Sequence, residues 1–205
     1  MNILIVTQYF WPENFRINDL ATALKNRGHN IVVLTGAPNY PAGRIFEGYR
    51  FWGNQNEHFN GIKIHRTPLI PRGNGGGVNL FLNYLSFVLF ASFLGPIICR
   101  EKIDRILVYE PSPVTVCLPA IVLKWIKGAP ILFWVQDLWP ETLSATGAVK
   151  SDIILKSVGL LVQFIYRQCD LILVQSRAFI EPIRKFGNPF RKIVYFPNSA
   201  EEFYE

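Results

Sequence analysis

The sequence predicts an α/β protein built on a doubly wound parallel sheet of about seven strands, and three observations lead there. Short β-branched runs alternate with longer segments of helical periodicity. Most of the runs are apolar almost throughout, the pattern of parallel strands covered on both faces. The intervening segments are long enough to cross back over the sheet, so each strand–helix–strand unit is a right-handed crossover.

The predicted strands are 3–8, 30–35, 62–67, 105–110, 131–136, 171–175 and 193–196. The third alternates apolar with basic residues (Ile62, Lys63, Ile64, His65, Arg66), which places it near an edge. Between the strands, 14–27 sets Phe15, Leu20, Ala23 and Leu24 at helical spacing, with Gly28 as its stop. Ser112-Pro113 reads as a cap followed by proline at the first helical position, opening a helix to about Lys127 with Gly128 after it. Helices over 151–167 and 177–186 complete the set. The last has Ser176 as cap and Gly187 as stop, and Pro182 implies a late start or a kink. Two stretches break the alternation. Residues 37–61 form a Pro/Gly/Asn/aromatic excursion of a length that is usually functional, and 71–77 (PRGNGGG) is a flexible link.

That link enters 78–99, 22 residues without a charge and long enough to span a bilayer. Asn79, Asn83 and Ser86 nevertheless recur at i, i+4 and i+7, and Gly95-Pro96 breaks the far end. A single crossing would also put the third and fourth strands on opposite sides of a membrane. The expectation is a buried or groove-lining helix or a membrane-interface helix. In the second case Phe87, Phe90 and Phe93 would face lipid, and Arg66, Arg72, Arg100 and Lys102 would meet anionic head groups.

Composition narrows the function classes. In 205 residues, 50% are hydrophobic and 18% charged, against about 25% charged in an average soluble domain. This excludes a disordered chain, a coiled coil and a low-complexity polymer. The net charge of +6 suggests anionic partners such as a phosphorylated small molecule or a membrane surface. It is not gathered on one recognition helix, so nucleic acid is not expected. Cys99, Cys117 and Cys169 stand apart in apolar runs and lack metal-ligand spacing, so they are expected as reduced core residues of a cytoplasmic protein. The first residues lack a charged region and are too short an apolar run for a signal peptide.

In an open α/β sheet, ligands bind beyond the carboxyl ends of the strands where strand order reverses. For the order 3-2-1-4-5-6 this crevice lies between the first and fourth predicted strands. No glycine occurs between Met1 and Gly28, so the first loop lacks the GxGxxG a dinucleotide needs. Glu13 or Asn14 at the helix start and Arg16 in its first turn suit a hydroxyl-rich or phosphorylated ligand; a cap and a surface arginine is the plainer account. Glu110 at the end of the fourth strand suits orientation of sugar hydroxyls or proton transfer, or it only stabilises the start of the next helix. Gln136, Asp137 and Glu141 interleave with Trp134 and Trp139, as for a carbohydrate that stacks on aromatic faces and hydrogen-bonds at its edges. Core tryptophans beside a turn aspartate are the alternative. D-x-D, P-loop, HExxH and GxSxG signatures are absent, and no metal site is expected. Of the scattered histidines His29, His58 and His65, only His58 in the excursion is a candidate. The basic stretch Arg177, Arg184, Lys185, Arg191, Lys192 is expected as a solvated helix face.

The ordered strings QYFWPENFRINDLA, NRGHNIVVLTGAPNYPAGRIFEGY, YEPSPVT, FWVQDLWPE, DLILVQS and YFPNSAEEF resemble a glycosyltransferase of family 4 over essentially the whole chain. They are similar to the N-terminal half of a GT-B enzyme of the bacterial surface-polysaccharide group, which includes O-antigen and capsule transferases. The resemblance implies two Rossmann-like domains facing a cleft. Residues 1–200 would be the acceptor-binding domain, and 201–205 the start of the crossover to a C-terminal domain that binds the nucleotide-sugar. It implies transfer with retention of configuration and no cofactor beyond the nucleotide-sugar as co-substrate. It further implies a lipid-diphosphate-linked saccharide acceptor and peripheral attachment to the inner face of the cytoplasmic membrane. The 205 residues alone would then transfer no sugar. Many relatives carry a histidine where the fifth strand meets its loop; here Gln136 stands beside Asp137. Asp137 and Glu110 are accordingly the candidate catalytic residues, and Asn14, Arg16, Gln136, Trp139 and Glu141 the candidates for acceptor binding. The rivals are a nucleotide-sugar epimerase or dehydrogenase on a similar sheet, and a non-catalytic membrane- or carbohydrate-binding module.

Overall fold

The computed structural model of the chain describes residues 1–52, 57–186 and 193–198. Its strands are β1 (Asn2–Val6), β2 (Asn30–Gly36), β3 (Glu57–Phe59), β4 (Ile62–Thr67), β5 (Arg105–Glu110), β6 (Ile131–Val135), β7 (Leu171–Val174) and β8 (Ile193–Tyr195). They form one sheet in the order β3-β4-β2-β1-β5-β6-β7-β8. Every pairing is parallel except β3 with β4. The chain thus winds outward from β1 in both directions, and the crevice falls between β1 and β5, where Val6 lies opposite Leu34 on one side and Val108 on the other.

The eighth strand is the antiparallel β3, inside the excursion over 37–61. Phe59 pairs with Ile62 across Asn60 and Gly61, both at positive φ (49° and 71°). That is a two-residue hairpin whose twist needs left-handed backbone, which Asn-Gly adopts at least cost. The expected crossover to the third predicted strand therefore carries a short edge strand that covers its flank.

The helices are α1 (Arg16–Asn26), α2 (Gly77–Ile98), α3 (Cys117–Lys127), α4 (Glu141–Ala145), α5 (Asp152–Gln168) and α6 (Ile180–Lys185). The two faces of each strand feed different layers. Leu4, Val6, Leu34, Val108 and Phe133 pack under α2, α3 and α5 with Phe87, Ala91, Ile121, Leu123 and Ile165. Ile5, Val33, Ile64, Tyr109 and Trp134 pack with Ile17 and Ala21 of α1 on the other side. Covering both faces makes the central stretches of β1, β2, β5 and β6 apolar at successive positions. All three cysteines are buried and unbridged, with the Sγ atoms of Cys117 and Cys169 at 3.8 Å.

Several helix starts differ from expectation for identifiable reasons. α1 begins at Arg16, and its N-cap position, Phe15, makes no side-chain cap bond. The residues before it are held as a turn instead, because Asn18 Oδ1 accepts from the Trp11 N–H and its Nδ2 donates to the Glu13 carbonyl. The segment after Ser112-Pro113 first makes a 3-10 turn, Val114–Val116, with no side-chain cap, and α3 starts only at Cys117. Ser176 does cap, accepting from the Ala178 N–H, and a 3-10 turn over Arg177–Phe179 leads into α6, the late start that Pro182 implies. The expected Gly187 stop, the basic residues 191–192 and the crossover at 201–205 lie outside the described residues.

Two expectations about the membrane helix are corrected. Phe87 is fully buried in the larger core, because it falls on the arc of α2 that faces the sheet. Arg66 cannot meet head groups: it is 1% exposed. Its guanidinium pairs with Glu57 at 3.0 Å, donates to the Gly36 carbonyl at 2.9 Å and to the Trp11 carbonyl, and lies 5.0 Å from the Tyr49 ring centre. A buried arginine is tolerable only with its donors and charge so answered.

Candidate functional site

The site is the carboxyl edge of β1, β5 and β6 together with the loops from β1, β2, β4 and β5. Its deepest acid is Glu110, the last residue of β5 and 0% exposed. Alternation along β5 turns Tyr109 toward α1 and Glu110 to the opposite layer. There its Oε2 accepts from the Asp137 N–H at 3.4 Å, and its own carbonyl accepts from the Gln136 N–H at 3.1 Å. Oε1 is buried without a partner among the described residues. Burial, with the Asp137 charge adding to it, holds this carboxyl well above the usual carboxylate range. Glu110, the candidate catalyst, is thus enclosed beneath the mouth and holds the 136–137 turn through these two bonds.

Asp137 is half-buried at the mouth. Its Oδ1 accepts from the Thr142 hydroxyl at 2.6 Å and its Oδ2 from Trp139 Nε1 at 3.2 Å. An ionised carboxylate has about four acceptor positions, so two stay available to a ligand hydroxyl while the others fix its orientation. Trp139 is thereby pinned at its polar end, and its ring packs on the larger core. It serves the loop first. Gln136 joins an amide cluster at the ends of β6, β7 and β8: Asn198 Nδ2 donates to Gln136 Oε1 at 2.8 Å and to Gln175 Oε1 at 2.7 Å, and Gln175 Nε2 donates to the Gln136 carbonyl. Gln136 Nε2 is a buried donor without a partner among the described residues, the group this side chain has left for a ligand. Glu141 is exposed in the first turn of α4, and its charge is felt at Tyr166 of α5.

On the β1 side the candidate residues sit in different surroundings. Asn14 is exposed and makes no cap. Glu13 is 2% exposed: its Oε1 accepts from the N–H groups of Asn39 and Tyr40 at 2.8 and 2.7 Å, its Oε2 from Phe10 at 3.3 Å. It fastens the first loop to the excursion. Burial outweighs these three bonds and pushes its carboxyl up to about 7. Arg16 is exposed on α1, 3.7 Å from Asp19, and its charge reaches the Tyr109 hydroxyl.

The residues that sequence reasoning missed are aromatic and lie far apart along the chain. Tyr9 stacks on Phe15 at 5.1 Å and leans on Tyr40 at 5.7 Å, while the Arg72 guanidinium sits 5.0 Å from the Tyr40 ring centre. The Arg72 N–H donates to Asn39 Oδ1, which places the PRGNGGG link beside the excursion. Tyr84, on the second turn of α2, is hydrogen-bonded to Ser112 and feels the charges of Arg72 and Asp137. Burial holds the hydroxyls of both Tyr9 and Tyr84 above the usual tyrosine range. Under them Asn83 accepts from Gln8 Nε2 at 2.6 Å and donates to the Ile70 carbonyl at 2.6 Å. The i, i+4, i+7 polar stripe of the apolar helix was the available signal, and it marks the side of α2 that lines this crevice. His58 is on edge strand β3, opposite Lys63.

The assembled surface offers a carboxylate, an amide donor, tyrosine hydroxyls and the cations Arg72 and Arg16 around one strand crossing. It suits a polyhydroxylated, anionic ligand. No group of three or more His, Cys, Asp or Glu that could hold a metal ion occurs among the described residues. Apolar concavities lie elsewhere, one along α5 beside Pro140 and Phe186, another over Ile3, Leu107 and Leu173.

Residues 14–199 match the family described as glycosyl transferase 4-like domain. The chain is 24% identical over 211 residues to WcaI of Escherichia coli (strain K12), a protein named for colanic acid biosynthesis glycosyl transfer, and covers 98% of its own length and 51% of that protein. Among solved structures it is similar to sucrose-phosphate synthase from Thermosynechococcus elongatus, with TM-score 0.57, 15% identity and coverage of 96% of this chain and 47% of that one. It is likewise similar to Anabaena HepE in complex with UDP and glucose, with TM-score 0.54, 15% identity and coverage of 98% and 45%. The chain thus spans about half the length of the relatives it matches, and the structural likeness is one of fold.

Proposed function

Because the chain belongs to the glycosyl transferase 4-like domain family, we propose that it is the acceptor-binding half of a retaining glycosyltransferase that moves a sugar from a nucleotide-sugar to a lipid-diphosphate-linked saccharide in surface-polysaccharide synthesis. The nucleotide-sugar binds a second domain, no resident cofactor is needed, and the enzyme works at the inner face of the cytoplasmic membrane.

One observation carries the reading: the charges of Asp137, just after β6, and of Arg72 both bear on the Tyr84 hydroxyl of α2, beside the crevice between β1 and β5, with no glycine loop to seat a dinucleotide. Support for an anionic acceptor comes from Arg72 and Arg16. Support for a saccharide comes from a half-buried carboxylate and amide set among tyrosines and tryptophans. The surface-polysaccharide setting rests on the resemblance of the quoted strings.

In this scheme Asp137 orients an acceptor hydroxyl, held itself by Thr142, Trp139 and the enclosed Glu110. Positioning of two reactants against each other then supplies much of the rate, while stabilisation of the leaving diphosphate falls to the donor-binding domain. The test is sugar transfer from labelled nucleotide-sugars to extracted polyprenyl-diphosphate-linked saccharides by the full-length polypeptide. Transfer is expected there, reduced at least 100-fold by Asp137→Ala, and absent with residues 1–205 alone. Turnover by the 205-residue chain, or full activity of Asp137→Ala, would overturn the division of labour.

A further inference from the structure

α2 is covered on one side only. Asn83, Phe87, Ala91 and Gly95 fall on the arc that meets the sheet and α3. The opposite arc carries Val78, Phe81, Leu85, Leu89, Phe93 and Ile97, spaced by three or four residues and 39 to 73% exposed. At the helical rise of 1.5 Å per residue this ridge runs about 28 Å. Surface helices of soluble domains turn polar residues outward. Here none of the 27 residues from Gly73 to Cys99 is charged.

The helix cannot answer this by crossing a bilayer, because β4 before it and β5 after it lie in the same sheet and Gly95 is packed against Leu34 and Leu123. Its surroundings complete a pattern. Arg72 and Arg100 bound the uncharged run, Arg100 being exposed with its Nε on the Ile97 carbonyl. No acidic residue occurs between Glu57 and Glu101. Beside the ridge, Phe90 meets Phe51 edge-on at 6.1 Å and Phe51 meets Trp52 at 5.3 Å, leaving the Trp52 indole 69% exposed. A long apolar ridge, cationic at its ends and flanked by an exposed tryptophan, is complementary to an anionic bilayer surface.

We propose that the Val78–Ile97 ridge lies in the plane of an anionic membrane, its side chains among the upper acyl chains, Trp52 at the interface and Arg100 on lipid phosphates. The inference rests on the membrane location proposed above and names the surface that would make it; flotation and sugar transfer are read separately, so either can fail without the other. It replaces Phe87 as a lipid contact by Phe81 and extends the contact to both ends of the helix. Because Tyr84 is on the same helix, docking brings the crevice to head-group height.

The experiment is flotation of the chain with vesicles of phosphatidylcholine and phosphatidylglycerol (70:30) and of phosphatidylcholine alone. Binding to the mixed vesicles is expected. Phe81→Ser/Phe93→Ser should lower the bound fraction at least ten-fold with an unchanged thermal midpoint, because both side chains are exposed. Arg100→Gln should weaken binding to the mixed vesicles only. Leu160→Ser, which removes an exposed apolar group of α5, should leave it intact. The proposal is overturned if the wild-type chain does not float, if the double variant floats as well as wild type, or if the double variant instead abolishes a dimer that binds no vesicles.

Discussion

The enclosed carboxyl of Glu110 accepts a hydrogen bond from the Asp137 backbone at 3.4 Å, so the acid at the crevice mouth stands on a turn held by a second acid beneath it. The pair separates positioning from contact. Glu110→Gln, which keeps an acceptor and the volume, should retain most of the stability and transfer activity of the full-length polypeptide. Glu110→Ala should lose about 2 kcal/mol or more by opening a cavity and orphaning the N–H, measured by urea denaturation. Were Glu110 the proton-transferring group, Gln would abolish turnover without unfolding.

Asn83 bridges the first loop and the link before α2. Asn83→Leu leaves both Gln8 Nε2 and the Ile70 carbonyl without this partner. Gln8 Nε2 keeps only its 3.4 Å bond to the Tyr9 hydroxyl, and an unsatisfied buried group costs about 1–3 kcal/mol, so the denaturation midpoint should fall clearly. A variant as stable as wild type would show that the polar stripe is dispensable to the fold.

Arg66 ties β4 to Glu57, Gly36 and Trp11. Arg66→Met should destabilise by about 3–5 kcal/mol, because it leaves Glu57 buried against nothing of opposite charge. The double variant Arg66→Met/Glu57→Gln should recover part of that loss, and thermal denaturation of the three proteins checks it.

Glu13 gives a pH signature. Its carboxyl rises from 4.5 to about 7 on folding, so the folded state binds its proton more tightly than the unfolded chain. Its contribution is fully present below pH 4.5 and is lost as pH climbs through about 7, by an order of 3 kcal/mol at the top of that window. Stability curves for wild type and Glu13→Gln from pH 5 to 8 should therefore converge or cross as pH rises. Parallel curves would show that Glu13 does not ionise in this range.

The central strands were readable because they are buried on both faces, so every residue of Ile3–Val6 or Ile106–Val108 is apolar. The crevice was readable because the winding order fixes where a reversal falls. β3 was not anticipated, although Asn60-Gly61 carries the turn chemistry for it, because a three-residue edge strand has too few positions for periodicity to show. Arg66 and Phe87 were misplaced for one reason: residue type names what a side chain prefers when exposed, whereas partners drawn from Trp11, Gly36 and Glu57, or a position on the inward arc of α2, decide what it does.

Local pattern and order along the chain determined the winding of the sheet, the place of the crevice and the candidacy of Asp137, since these depend on hydrophobic alternation and strand-end position. Only the tertiary structure decided that Glu110 lies beneath the site, that Tyr9, Tyr40, Arg72 and Tyr84 gather around it, and which side of the uncharged helix is left facing out. Those outcomes depend on contacts between segments up to 75 residues apart, as for Gln8 and Asn83. Such contacts are set by packing geometry, which no single stretch of sequence contains.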